Sequence, residues 1–361
     1  MKLFVIASFL VFCNTASYGQ TQGDSLLNFI TQNKNRASIY LVCNNLTMAH
    51  LNENNLMPLA STMKILIAIE FAKQVSGKKI QKDGYVALKE LDKYYLPNTD
   101  GGAHPKWISY ERSLQHIKIG LSPNEDSIKL IDVARGMILF SSNANTEYLL
   151  DLLGVEKVND NIKLFGLNRH TLLYPIVSSL FLYQNHNNRD EKNTLRGIDK
   201  LSAKEYFTQI INIHSHLKND PGFKATFSLQ DLSLEMQKAW SDRLPASTTK
   251  EYTLICKMLN NRKLFDAKTY DILSEELESL MENPANRSWL KHAGMKGGST
   301  IWVLTRALYA TTNTGTTIEM AYFFNNLTMK ENGMLQHWMN QFELETLSSE
   351  TFRQKINSAF N

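Results

Sequence analysis

Apolar positions change their spacing along the chain, and each change predicts an element. From Asp24 to Asn33 the apolar residues Leu26, Leu27, Phe29 and Ile30 form a helical stripe behind Asp24 and Ser25, both good caps. Ala37 to Val42 is β-branched and apolar and predicts a strand. Asn44-Asn45 marks a turn, and a second short strand is expected before Pro58. Met63 to Val75 is strongly apolar and rich in helix formers, so it predicts a buried helix stopped by Gly77. Ile128 to Leu139 and Asn145 to Leu153 predict two more helices, parted by Ser141-Ser142-Asn143 and closed by Gly154. Helical patterning continues to about residue 285, with a loop-like section near 168–194. Thr248 with Glu251 three positions later has the form of a capping box for a helix through Met258.

Beyond residue 285 the pattern turns to strands. Trp289 to Thr300, Ile301 to Thr312 and Thr317 to Leu327 are three consecutive strand candidates, and Asn313-Thr314-Gly315-Thr316 is a hairpin turn. Met334 to Phe342 predicts a closing helix. Residues 80–126 are turn-rich and are expected to be a long excursion with little regular structure. The predicted fold is α/β of the α+β kind. Strands from both chain ends form one antiparallel sheet flanked by helices, and an all-helical lobe is inserted between them. The expected boundaries are a signal segment at 1–19 and a domain at 20–361, with the α/β lobe at 20–58 and 286–361 and the helical lobe at 59–285.

Composition alters this picture little. Hydrophobic residues make up 43% and charged residues 20%, as in ordinary globular proteins. The net charge of +4 comes without a long basic run, so nucleic acid is not an expected partner. Lys2 precedes an apolar run from Leu3 to Cys13, and Ser17-Tyr18-Gly19 offers small residues for signal cleavage. Export to the periplasm or the medium is therefore expected. The run is too short to span a bilayer, and no other stretch predicts a stable membrane span. Lipid anchoring at Cys13 is disfavoured by bulky Phe12 before it. After cleavage Cys43 and Cys256 remain, and nothing in their spacing decides between a bond and two buried thiols.

Three short pieces carry candidate chemistry. Ser-x-x-Lys at Ser61 and Lys64 opens the long buried helix. There the hydroxyl meets the positive helix end, and the lysine shares its helix face. The same pattern at Ser76, Ser247 and Ser288 lies at a helix end, in a capping run and beside a strand. A serine needs its proton removed before it attacks a carbonyl. Lysine can remove it only if burial or a second cation lowers its pKa. Lys296, in Lys296-Gly297-Gly298 on a predicted strand, is a candidate for that cation. The glycines let a ligand backbone approach, and N–H groups at Ser299 and Ser61 are candidates for an oxyanion site. Ser141 is a candidate proton donor to a leaving nitrogen, and Asn143 a candidate to hold Lys64 and a substrate amide. The plain alternatives are an N-cap at Ser61, a capped loop at 141–143 and a glycine turn at 296–298.

Together and in this order, the three pieces match the signature of serine β-lactamases and penicillin-binding proteins. The chain resembles class A β-lactamases over most of its length past the signal. The resemblance implies that Ser61 is the acylated nucleophile, Lys64 its proton acceptor, Ser141 and Asn143 the second motif, and Lys296 with Gly298 the third. Arg306, ten positions after Lys296, falls where class A members often bind a substrate carboxylate. The implied substrates are β-lactams or D-alanyl-D-alanine-like peptides, with no cofactor, no metal and a monomeric enzyme. Three departures stand out. Ser142 replaces the usual aspartate, Gly297 replaces a hydroxyl residue, and no acid lies between Asp160 and Asp190, where class A enzymes place their water-activating glutamate. His170 is a candidate base there, with a surface histidine as the alternative. Ser61 and Ser141 are 80 positions apart, longer than is typical, and Trp107 or His104 in the extra stretch could line a substrate wall or only pack.

Overall fold

Burial on both faces explains the near-continuous apolar runs at the end of the chain. The structure, a computed structural model, describes residues 21–122, 125–184 and 191–360. The predicted signal segment, Cys13 and Asp190 lie outside them. Along the chain come α1 (Gln22–Gln32), β1 (Ala37–Cys43), β2 (Leu46–Leu51), β3 (Met57–Pro58), a 3-10 turn (Ala60–Met63) and α2 (Lys64–Ser76). Then follow β4 (Tyr85–Ala87), α3 (Leu88–Asp92), α4 (Ala103–Ser113), β5 (Ser127–Lys129), α5 (Leu130–Leu139), α6 (Asn143–Leu153) and α7 (Val155–Leu164). After them come α8 (Leu180–Tyr183), α9 (Glu191–Asp199), α10 (Ala203–Asn219), α11 (Leu234–Asp242), β6 (Ala246–Ser247), α12 (Thr249–Asn261), α13 (Ala267–Leu277) and α14 (Pro284–Arg287). The last elements are β7 (Leu290–Ser299), β8 (Leu304–Thr312), β9 (Thr317–Phe324), α15 (Met329–Ser348) and α16 (Glu350–Phe360).

The chain divides into two units. The sheet unit holds residues 21–63, Phe165–Thr171 and residues 245–360. Its five strands run in the order β2-β1-β9-β8-β7, every pair antiparallel, so both chain ends build one sheet as expected. On one face α1, α15 and α16 bury Leu26, Ile30, Phe342 and Phe352 against Leu308, Tyr322 and Phe324. On the other face α12 lays Tyr252 on Phe323, with ring centroids 5.8 Å apart, and Asn260 donates to the Ala310 carbonyl at 3.1 Å. Residues 245–285 therefore belong with the sheet, although the sequence places them in the helical lobe. The Thr248 hydroxyl caps α12 by accepting the Glu251 N–H at 3.1 Å. The Glu251 carboxylate does not close the box; it accepts from Ser247 and from the Arg169 N–H instead.

Two other boundaries differ from expectation for local reasons. Thr300 Oγ1 accepts from the N–H groups of Trp302 and Val303, so β8 starts at Leu304 and not at Ile301. The closing helix is far longer than Met334–Phe342. A full capping box at Thr328 and Glu331 starts α15, and Gly333 sits in open space without breaking it.

The helical unit holds Lys64–Leu164 and Leu172–Leu244. Helix α2 is buried on almost every side and packs against α5, α6 and α7. The 80–126 stretch is more regular than expected, because it contains β4, α3 and α4. Asp100 starts α4: its carboxylate accepts the N–H groups of Gly102, Ala103 and His104 at 3.0, 3.1 and 3.0 Å. Pro105 is tolerated because it falls in the first turn, where an N–H would have no helical partner. Cys43 and Cys256 are both free and buried. No helix among the described residues is long and apolar enough to cross a membrane.

Phe342 is fully buried between the sheet and α16. The Phe342→Ala variant is expected to lose about 3–5 kcal/mol of unfolding free energy. Urea denaturation followed by circular dichroism checks this, and a loss of less than about 1 kcal/mol would contradict the packing described.

Candidate active site

In the helical unit, α2 begins with a lysine that has no access to solvent. Lys64 Nζ donates to the Ser141 carbonyl at 2.8 Å, to Ser141 Oγ at 3.2 Å and to Asn143 Oδ1 at 3.0 Å. These three oxygens match the three N–H bonds of an ammonium, but none belongs to a carboxylate. Burial lowers the Lys64 pKa to about 7, while the fields of Asp100 and Glu147 pull the other way. Of the two causes considered from sequence, burial is the one that lowers it. Near neutral pH the amine is thus divided between a form that can accept a proton and a form that can donate one.

Ser141 reaches Lys64 from an unusual backbone. Its φ is +65°, a left-handed value that costs a serine energy unless the surroundings hold it. The next residue, Ser142, is fully buried and caps α6 by accepting the Asn145 N–H at 3.3 Å. Asn143 is the first residue of α6, which aims its amide oxygen at Lys64. The structure therefore brings together Lys64, Ser141 and Asn143 as the sequence proposes. His104 and Trp107, at 3% and 0% exposure, are packed inside this unit and form no open wall.

In the sheet unit, Ser61 lies in the 3-10 turn Ala60–Met63 and is half-buried. The turn is pinned to the sheet through Thr62 Oγ1, which is 2.8 Å from Thr305 Oγ1; Thr305 also donates to the Leu59 carbonyl at 2.8 Å. Gly298 pairs with Thr305 across β7 and β8. A Cβ on Gly298 would lie 2.4 Å from the Ser61 nitrogen, so no larger residue fits while this turn stays in place. Lys296 lies two residues earlier on the same face of β7. It is almost fully buried, and its Nζ donates to the Gly297 carbonyl at 2.8 Å. Ser299 ends the strand opposite Leu304.

Arg306 is opposite Gly297 on the other face, where Nε donates to Glu343 Oε1 at 2.7 Å and Tyr322 donates to the same oxygen. A Cβ on Gly297 would come within 2.7 Å of Arg306 Nη1. The missing hydroxyl residue at 297 thus has a structural counterpart, because the guanidinium occupies the space beside the glycine.

Glu147 on α6 is an acid with little signal in the sequence. It is fully buried and accepts the Val177 N–H at 2.8 Å, the Ser178 hydroxyl at 2.6 Å and His214 Nδ1 at 3.0 Å. Its only sequence signal is a charge among the buried residues of an apolar helix, and its carboxylate is committed to holding residues 177–178. His170, the candidate base, stacks on Tyr252 and lies 3.2 Å from its hydroxyl, and burial lowers its pKa. It packs as a half-buried histidine of the sheet unit.

The model of the beta-lactamase enzyme family matches residues 23–266. The chain belongs to that family. Among solved structures, a class A beta-lactamase from Bacteroides cellulosilyticus is 15% identical with a TM-score of 0.52, over 91% of this chain and 98% of that one. A beta-lactamase from Chitinophaga pinensis is 16% identical with a TM-score of 0.50, over 94% and 98%. A PBP-A variant solved as an acyl-enzyme with penicillin G is 13% identical with a TM-score of 0.52, over 94% and 96%. At these identities the likeness shows a shared fold. No curated protein matches the chain.

Two outcomes follow for this family member. A titration of isotope-labelled lysines by NMR is expected to show one side chain with a midpoint at about 7, absent from Lys64→Met; a Lys64 midpoint near 10 would contradict its burial. Gly298→Ala is expected to destabilise the protein by about 1–3 kcal/mol in urea unfolding, because the added methyl has no room beside Ser61.

Proposed function

We propose that this chain is an exported serine hydrolase of the class A type. It opens β-lactam or related amide bonds through an acyl-enzyme on Ser61. The observation that carries the reading is a buried lysine, three residues after Ser61, with its pKa lowered to about 7 and its amine on Ser141 and Asn143. In the proposed step Ser61 Oγ attacks the amide carbonyl and its proton passes to Lys64 Nζ. Ser141 then gives its hydroxyl proton to the nitrogen as the C–N bond breaks and takes the proton held by Lys64, 3.2 Å away, in return, so that an ester remains on Ser61. Lys296, Gly298 and Ser299 bind the acyl group and its carbonyl oxygen; Arg306, a carboxylate binder by resemblance, lies on the other face of the sheet with its guanidinium on Glu343 and takes no part in the step. Export rests on the N-terminal segment, with Lys2 before its apolar run.

Release of the ester needs an activated water, and here the chain departs from the usual pattern. No acid lies between Asp160 and Asp190, and Glu147 is occupied by Val177, Ser178 and His214. That observation favours fast acylation followed by slow release. It also keeps a second reading in view, a D-alanyl-D-alanine peptidase or esterase, or a penicillin-binding sensor that acylates without turnover.

A chromogenic cephalosporin is expected to give a burst of about one equivalent followed by a slower steady rate. Intact-mass spectrometry is expected to find the adduct on Ser61, and Ser61→Ala should remove both burst and adduct. Turnover by Ser61→Ala at the parent rate would overturn the reading. The burst rate is expected to fall about tenfold per pH unit below the Lys64 midpoint of about 7, because an ammonium has no lone pair to take the proton. A burst rate that stays flat down to pH 5 would remove Lys64 as the base.

A further inference from the structure

His104 stands in the first turn of α4, within the 80–126 stretch. Its Nδ1 lies 2.9 Å from Ser142 Oγ and 3.2 Å from Asn145 Oδ1. The directions of these bonds follow from their neighbours. Asn145 gives its Nδ2 to the Val133 carbonyl at 3.0 Å, so its Oδ1 can only accept. Ser142 spends its single hydroxyl proton on that Oδ1 at 2.9 Å. A bare Nδ1 would then set its lone pair against two oxygens with no proton between them. The proton therefore sits on His104 Nδ1, which donates to the pair.

The ring has little freedom to leave. It packs at a tilt against the rings of Tyr95 and Trp107, with centroids 5.0 and 5.4 Å away, and the backbone N–H of His104 is bonded to Asp100 at 3.0 Å. Trp107 is fixed in turn by Glu111, which accepts its Nε1–H at 3.0 Å. Ser142 follows the left-handed Ser141, whose carbonyl and hydroxyl hold Lys64. Two departures from the class A pattern, serine in place of aspartate at 142 and the long stretch before it, thus meet at one hydrogen bond.

We propose that His104 is a positioning residue. Its Nδ1–H, through Ser142 and Asn145, holds Ser141 in the conformation that presents both of its oxygens to Lys64, and this is what the 80–126 stretch contributes to catalysis. The proposal deepens the acyl-transfer reading above and rests on it.

Asparagine places an amide nitrogen where histidine has Nδ1, whereas glutamine places one near Nε2. With a fluorescent penicillin as probe, His104→Asn is expected to label Ser61 within about threefold of the parent rate. His104→Gln and His104→Ala are expected to be slower by about tenfold or more, the scale of one lost buried hydrogen bond. A role in packing alone would favour glutamine, the larger side chain. Glutamine labelling at the parent rate, or asparagine falling as far as glutamine, would overturn the proposal. Should the glutamine variant be poorly folded by circular dichroism, the cycle with Ser142→Ala decides: His104→Ala is expected to cost less than about threefold more once the acceptor is gone, and a full tenfold further loss would overturn the assignment. If the parent itself takes no label, the acyl-transfer reading fails, and His104 is judged by the NMR titration of Lys64. There the alanine and glutamine variants are expected to move the midpoint up from about 7, as water reaches the amine, and the asparagine variant to keep it. An unmoved midpoint in all three would refute the positioning role.

Discussion

One amine without a carboxylate partner organises the helical unit. A buried ammonium needs either a counter-charge or a full set of oxygen acceptors, and a group given only the latter loses its proton more readily. Lys64 has two oxygens of Ser141 and one of Asn143. Keeping them in place requires a left-handed serine, a buried cap at Ser142 and a helix that starts at Asn143. The apolar run of α2 supplies the dry surroundings, and the carboxylates of Asp100 and Glu147 keep the shift from going further.

The sheet unit works by close approach. Two glycines in a row on β7 serve opposite faces. Gly298 lets the Ser61 turn rest on the strand, and Gly297 lets the Arg306 guanidinium lie beside it. Thr305, directly across from Gly298, bonds both to the turn at Leu59 and to the Gly298 carbonyl, so the Ser61 turn is tied to the strand.

Much of this was legible in the sequence, because strong apolar periodicity marks α2, β1 and the three late strands. The Ser61, Ser141 and Lys296 motifs could be ranked above chance matches for the same reason: the elements around them were readable. Regions governed by side-chain to backbone bonds were harder to read. Asp100 starts α4 from behind two glycines that look like a turn, and Thr300 closes a three-residue bend that looks like strand. Glu251 has the spacing of a capping box and bonds to Arg169 and Ser247 instead. Glu147 and His104 hide for another reason. A charged or titratable residue on a helix gives no sign from sequence that it points inward, because its partners come from segments 30 or more residues away.

The Arg306 pair gives the end of the chain a more than decorative part. Glu343 lies midway along α15, and its carboxylate is the acid that answers a guanidinium set beside the glycine strand. A stop codon anywhere between Phe324 and Glu343 would leave that arginine without its counter-ion and bare the aromatic floor made by Tyr322 and Phe324. A chain shortened there would thus be weakened twice, once by a charge left unanswered and once by an apolar face left uncovered.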